Sequence, residues 1–375
     1  KKIEIPLLIN YFKSLNNDID SIKEVSFSPY FSLEESRDGA NNINNIKYLK
    51  DNNILGSYLA GLIEGNGTIS IPKNKNPQIN IVFHKKDKEL SNYLCNILGC
   101  GKVNNLSKNT VNYQIQDLPS IYKILILING YLRTPKYYYY INCCEFINNY
   151  IINNNNNNNI NIINIINQIN IINIKPLDQS NINNNAWLSG ITDANGNFSI
   201  SLLNGTKKRI RPYYKLELKQ SYQINNNNNN NNDNNNLYKN IIISNTELTK
   251  KGKDIINLDY LNIMSKIATY FNVELYSRNR ELNLKKNNLN EIKIYYTYII
   301  MVSNINKNIK VIEYFNKYPL LSSKYLDYCK WKEIIEYTNI YGQSSESSYN
   351  LGLKIRKNYN KTRTTFNWNH LKNLK

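Results

Sequence analysis

The sequence predicts an α+β protein built as two similar halves, each with a helix that runs directly into a strand. Three observations predict it. Tyr58-Leu-Ala-Gly-Leu-Ile-Glu-Gly-Asn-Gly-Thr-Ile-Ser-Ile71 aligns without gaps to Trp187-Leu-Ser-Gly-Ile-Thr-Asp-Ala-Asn-Gly-Asn-Phe-Ser-Ile200, 129 residues further on. In each copy the apolar spacing changes from three and four to two, which marks a helix followed by a strand. The 375 residues, 41% of them hydrophobic, suffice for a duplicated core without disulfide staples.

The elements follow in order. Residues 1–50 are mixed and polar, with Pro6, Pro29 and the acidic Glu34, Glu35 and Asp38, and read as an N-terminal extension. The first half spans 51–150. Leu55, Tyr58, Leu59, Leu62 and Ile63 recur at helical spacing. Small residues four apart share one face, Gly56 with Ala60 and, in the second copy, Ala186 with Gly190. Such faces predict two helices packed closer than the usual separation of about 8–10 Å. Gly65, Gly67 and Gly196 are expected to end them. Strands are predicted at 68–71, 79–84, 102–106 and 111–116, and helices at 88–98, 119–128 and 138–150. Residues 151–185 open on an unbroken asparagine run and continue in Ile/Asn alternation, a linker by composition. The second half spans 186–341. Helices are expected at 255–271 and 308–315, and strands at 273–276 and 293–302. An Asn-rich insertion, 224–236, lies between strand-like segments 213–222 and 239–244 and reads as an expanded hairpin loop. Residues 342–375 carry Lys354, Arg356, Lys357, Lys361, Arg363, Lys372 and Lys375 and read as a basic tail.

Lys plus Arg number 47 against 28 for Asp plus Glu, giving +19. That balance implies a polyanionic partner, nucleic acid first, and argues against an enzyme for cationic substrates. Five unpaired-looking cysteines and two histidines predict neither a disulfide framework nor a zinc site. No apolar run is long enough to span a membrane. Asparagine is about a fifth of the chain, and Ile, Lys and Tyr are abundant while Ala, Pro, Gly and Arg are scarce. The rich residues have A/T-rich codons, as in a fungal mitochondrial genome, and a mitochondrial (matrix) location is expected. No transit peptide opens the chain, as expected of an organelle-encoded protein; the start at Lys1-Lys2 without Met suggests a processed piece of something longer.

Leu59-Ala-Gly-Leu-Ile-Glu-Gly-Asn-Gly67 closely resembles the nonapeptide that names the LAGLIDADG homing endonucleases and maturases, and Leu188-Ser-Gly-Ile-Thr-Asp-Ala-Asn-Gly196 is a weaker second match. The segment from Tyr314 to Trp331 is similar to the family's half-domain ending. The resemblance covers about 51–341. It implies two pseudo-symmetric αββαββα half-domains, with the motif helices at their interface and two antiparallel sheets forming a saddle on nucleic acid.

In active members of that family the eighth motif residue is a carboxylate that binds magnesium against a scissile phosphate. Here it is Asn66 in one half and Asn195 in the other. A hard cation prefers anionic oxygen. Losing one ligand charge is expected to remove about 10²–10³ in rate, and losing both to nearly abolish cleavage. Glu64 and Asp193, at motif position six, lie two residues from the catalytic position and are read as solvated or interface-bonded carboxylates. Lys136 and Lys324 match the family's basic active-site position and are expected to contact phosphates. The reading is therefore a non-enzymatic group I intron maturase that stabilises the active fold of its intron RNA, with no tightly bound cofactor, no metal ligands and magnesium associated with the RNA. A magnesium-dependent double-strand DNA endonuclease with a degenerate site, or a cleavage-dead DNA-binding protein, is the alternative. Nucleic-acid contacts are expected from Lys73, Lys75, Lys207, Lys208, Arg209, Arg211 and Lys219, with Tyr213 and Tyr214 as aromatic candidates. Expected partners are group I intron RNA, DNA and a second protein splicing factor. The expected form is a monomer with an internal pseudo-dimer.

Overall fold

Helices α1 (Asn52–Asn66) and α5 (Trp187–Asn195) cross at the centre of the molecule and join its two halves. The computed structural model describes residues 52–155, 170–225, 243–248, 254–286 and 289–372. The predicted extension at 1–50 and most of the Asn-rich insertion lie outside them. Ser57, Gly61 and Gly65 of α1 face Ala186, Gly190 and Ala194. A Cβ on Gly61 would stand 2.1 Å from the carbonyl oxygen of Trp187, and one on Gly190 2.0 Å from that of Tyr58. Backbone therefore meets backbone, and the Ala186 amide donates to Ser57 Oγ across the same seam at 3.1 Å. The face expected from Gly56 and Ala60 is one residue out of register. Gly56 instead makes room for the Leu127 carbonyl, 2.2 Å from where its Cβ would be, within the first half.

Each helix passes straight into a strand at a glycine. Neither glycine adopts the left-handed cap expected of it. Gly196 has φ −79°, and Gly67 is not among the positive-φ residues. What excludes a side chain is contact: a Cβ on Gly67 would lie 2.6 Å from Ile63 Cα, and one on Gly196 2.9 Å from the Thr192 carbonyl oxygen.

The halves share one topology. In the first, β1 (Gly67–Ser70), β2 (Gln78–His84), β3 (Lys102–Asn105) and β4 (Thr110–Ile115) form an antiparallel sheet in the order β1-β2-β4-β3. Helices α2 (Lys88–Leu98), α3 (Leu118–Ile128) and α4 (Tyr137–Asn155) accompany it. Asp117 caps α3, accepting from the Ser120 amide at 2.9 Å, and Pro119 sits in its first turn. In the second half β5 (Gly196–Asn204), β6 (Lys208–Lys219), β10 (Leu275–Lys286) and β11 (Leu289–Val302) repeat the order as β5-β6-β11-β10. Strict alternation buries one face of β2, β4, β5 and β6 and leaves the other open. The closed face of the second sheet packs an aromatic cluster, Phe198, Tyr214, Phe315, Tyr328 and Trp331, with α6 (Leu261–Phe271), α7 (Ile305–Lys317) and α8 (Lys324–Tyr341) supplying the other side.

Several segments differ from their sequence reading. The predicted strand 213–222 is two strands, since β6 ends at Lys219 and β7 (Ser221–Asn225) begins a separate sheet with β8 (Ile243–Leu248) and β9 (Asp254–Asp259). β9 lies between the other two, so the insertion is no hairpin loop. The same strand occupies the start of the helix predicted at 255–271, which begins only at Leu261, whose amide is held by Asp259. Of the predicted linker, residues 151–155 continue α4, and 170–185 are pinned to the first half. Asp178 forms a buried ion pair with Arg133 at 2.6 Å, and Asn129 brackets the backbone at Asn173 and Lys175. The basic segment after residue 342 folds back as α9 (Glu346–Arg356), with Gly352 against Ile210 and Leu202 of the second sheet. Beyond it, Tyr359 donates to the Phe198 carbonyl and Arg363 pairs with buried Asp327.

Because the seam has no room for a methyl group, Gly61→Ala is expected to lower the unfolding free energy by about 1–3 kcal/mol or more. Gly205→Ala, with nothing within 4 Å of the new Cβ, is expected to change it by less than about 0.5 kcal/mol. Urea titration of both variants checks the contrast.

Candidate functional site

Asn66 and Asn195 are the last residues of α1 and α5. The two helices therefore deliver them side by side to the floor of the open face, where two polar clefts adjoin. One cleft, about 770 Å³, is lined by Asn66, Lys136, Asn195, Glu217 and Lys219 among others. The second, about 800 Å³, is lined by Asn195, Tyr213, Lys215, Glu217, Arg280 and Lys324. Asn195 and Glu217 border both.

Lys136 and Lys324 occupy equivalent places beneath the helix ends. Lys136 Nζ donates to the carbonyls of Ile63 (3.1 Å), Gly65 (3.4 Å) and Gly67 (2.6 Å). Lys324 Nζ donates to those of Thr192 (3.1 Å), Asp193 (2.7 Å) and Ala194 (3.1 Å). Each ammonium thus satisfies carbonyls that a helix end leaves open, at the negative pole of the helix dipole. Burial pushes both amines down to about 8, with Glu64 and Asp193 respectively opposing the shift.

Glu64 and Asp193 are interface carboxylates and are not solvated. Glu64 accepts from the Arg133 amide at 3.0 Å, from the amide and hydroxyl of Thr134 at 2.7 Å each, and from Trp187 Nε1 at 2.6 Å. Asp193 accepts from the Leu321 and Ser322 amides, from Ser322 Oγ, and from the Tyr58 hydroxyl at 2.7 Å. Each carboxylate therefore reaches across the seam to one aromatic residue. Each also holds the loop that carries its own lysine, two residues downstream of Thr134 or Ser322. Burial raises both carboxyls above their ordinary range, outweighing those hydrogen bonds.

The other candidates are scattered. Lys73 and Lys75 lie in the β1–β2 turn and Lys207 in the β5–β6 turn, all exposed. Lys208 rests over the Tyr349 ring, Arg209 bonds Gln343, and Arg211 bonds Ser303. Lys219 is exposed at the end of β6, beside the cleft. Tyr213 is half-buried on the open face, whereas Tyr214 is fully buried and bonded to Thr192, so it has no face to offer a base. Sequence reasoning missed Glu217, Lys215, Arg278 and Arg280. Alternation along β6 was the available signal, since Arg211, Lys215, Glu217 and Lys219 fall on one side. Partial burial works against the Glu217 charge. Bonds from Lys215 and Thr297, with the charges of Lys215 and Arg280, outweigh it and hold the carboxyl below its ordinary value.

A family model described as "LAGLIDADG endonuclease" matches residues 59–147 and 255–335. The "Intron-encoded DNA endonuclease aI3" of Saccharomyces cerevisiae is 46% identical over 92% of this chain and 80% of its own length. The chain belongs to the LAGLIDADG endonuclease family. A "cox1 intron-2 37.2 kDa protein" of Schizosaccharomyces pombe is 28% identical over 84% of the chain, and the S. cerevisiae "Intron-encoded RNA maturase bI4" is 25% identical over 46%. Among solved structures, the LAGLIDADG homing endonuclease I-GzeII in complex with its DNA target superposes with TM-score 0.53 at 18% identity, covering 82% of this chain and 99% of that one. I-LtrWI bound to target DNA does so with TM-score 0.53 at 17% identity, covering 84% and 100%. These two likenesses establish the LAGLIDADG fold. The expectation of a non-enzymatic protein, drawn from Asn66 and Asn195, is overturned by the 46% identical relative named as a DNA endonuclease. β6 brings the Glu217 carboxylate beside the two motif asparagines, on the wall of the same clefts.

The buried lysines set a pH dependence. Their charged forms are disfavoured in the folded protein, so stability is lost as pH falls through about 8 and regained above it. Between pH 8 and 10 the wild type is expected to gain about 2 kcal/mol per lysine, before the buried tyrosines begin to oppose. Lys136→Met and Lys324→Met are each expected to flatten this gain, read from urea midpoints at pH 7.5 and 9.5.

Proposed function

We propose that this LAGLIDADG protein is an intron-encoded endonuclease that makes a double-strand cut in DNA at the junction of the exons flanking its own intron. The observation that supports it most is the relative named as a DNA endonuclease, 46% identical over nearly the whole chain. The pseudo-two-fold arrangement adds to it, with one motif-helix end and one buried lysine for each strand of a duplex.

The donor chemistry suits magnesium or manganese. Such an ion takes oxygen ligands and is often held by one or two carboxylates together with substrate phosphates. Asn66 and Asn195 offer amide oxygens and Glu217 a carboxylate on one cleft. Among the described residues no group of three His, Cys, Asp or Glu forms a complete cage, so the scissile phosphates would complete the coordination. The bound ion would activate water and stabilise the leaving oxygen. The chain's own part is positional. Lys136 and Lys324 fix the carbonyl ends of α1 and α5, and through them the two asparagines. Glu64 and Asp193 fix the loops that carry the lysines. Arg280 and Lys215 screen Glu217 until phosphates compete for them.

A mitochondrial matrix location is supported by the cox1-intron relative and by the A/T-codon composition. Binding of group I intron RNA in aid of splicing, with a second protein factor, is a further reading. It is supported by the bI4 relative over less than half of this chain.

A plasmid carrying the intronless exon junction, incubated with magnesium or manganese, is expected to yield one specific linear product. Its absence across a salt series would reject the reading. Asn66→Asp and Asn195→Asp are each expected to raise the single-turnover rate, and Glu217→Gln to lower it, by about 10². Calcium binding to the protein–DNA complex should follow the same order.

A further inference from the structure

The two sheets have the same strand order but opposite chemistry on their open faces. On the first sheet that face carries Gln78, Asn80, Asn112 and Gln114 along β2 and β4, with Thr68 and Ser70 on β1. These side chains are oriented by one another: Asn112 Nδ2 donates to Asn80 Oδ1 at 2.9 Å, and Asn104 Nδ2 to Gln114 Oε1 at 3.5 Å. Lys102, opposite Gln114 on the edge strand, is the only lysine or arginine among its described strand residues on that side. The first half's other lysines here, such as Lys73 and Lys75, stand in turns.

On the second sheet the register aligns Lys219, Thr297 and Arg278 in one row and Glu217, Ile299 and Tyr276 in the next. Arg211, Lys215 and Arg280 share this face, and Glu217 is the one carboxylate among these residues. Topology is common to both halves, so this difference comes from side-chain choice alone.

An amide fork matches the N6 donor and N7 acceptor of adenine and neutralises no phosphate. A guanidinium fork matches O6 and N7 of guanine, or a phosphate, and its phosphate contacts release counterions. We propose that the two halves read their half-sites by different means. The first sheet selects adenine-bearing pairs through its amides. The second selects guanine and grips phosphates through its cations, and supplies most of the salt dependence that arises on the strand faces. This inference rests on the DNA-endonuclease reading.

The test is selection of the full-length protein on randomised duplexes, at low and high salt, for three proteins: wild type, Gln78→Ala/Asn80→Ala, and Arg211→Ala/Arg278→Ala. Circular dichroism confirms that these surface variants fold. The wild type is expected to select an A-preferring and a G-preferring half-site. The amide variant should keep the slope of log K against log salt and lose about 5–150-fold base discrimination in the A-preferring half-site. The arginine variant should leave that half-site's preference intact and reduce the slope by about 0.9 for each phosphate it no longer neutralises. Equal slopes for the two variants, or the same preference in both half-sites, would overturn the inference while leaving the endonuclease reading standing. No selected duplex, with retention on intron RNA alone, would overturn both.

Discussion

Direct contact between the backbones of α1 and α5 is the constraint on which the rest of the molecule depends. Gly61 and Gly190 admit no side chain, because each lies against a carbonyl of the opposite helix. Such proximity aligns two helix ends, brings Asn66 and Asn195 together, and presents the two sheets as one surface. Packing at ordinary helix separation, about 8–10 Å, would part the two clefts that now share Asn195 and Glu217.

A second layer of organisation locks that seam chemically. Glu64 and Asp193 are buried charges, which cost free energy unless fully bonded. Each is surrounded by donors from both halves and from the loop before its lysine. The lysines complete the circuit by capping the helices that carry the carboxylates. Such a network resists sliding of one half on the other, because a shift of a turn would strand several buried polar groups at once. The two halves obtain this closure with different residues, Thr134 and Trp187 on one side and Ser322 and Tyr58 on the other, which is the mark of a duplication that has diverged.

Much of this was legible in the sequence wherever a period or a repeat carried the information. The helix-to-strand step at Gly67 and Gly196, the first half's four strands and the placing of α2 and α3 all follow from spacing. Legibility failed for physical reasons elsewhere. The strand at Asp254–Asp259 is six residues long, and its Ile255, Ile256 and Leu258 also fit the helical spacing of the residues that follow, so it reads as the start of a helix. Lys136 and Lys324 read as phosphate contacts because only tertiary structure reveals the carbonyls that satisfy them. Gly56 and Gly61 are equally small, and which of them meets the partner helix is decided by where α3 lies. Glu217 is a single acidic residue within a basic strand, and its importance comes from the asparagines that another element brings beside it.

The returning segment has a consequence for how the protein is made. Tyr359 closes on the Phe198 carbonyl, 161 residues earlier, and His370 reaches the Leu321 carbonyl near the seam. The first sheet and helices α2, α3 and α4 find one another among neighbours in the chain and can assemble while synthesis continues, whereas α1 meets α5 only once the second half is made. In the second half α6, α7 and α8 can cover most of β5 and β6, but the strand ends at Leu202 and Ile210 wait for residues beyond 342 to leave the ribosome. Until then the far end of the second sheet keeps its apolar edge open.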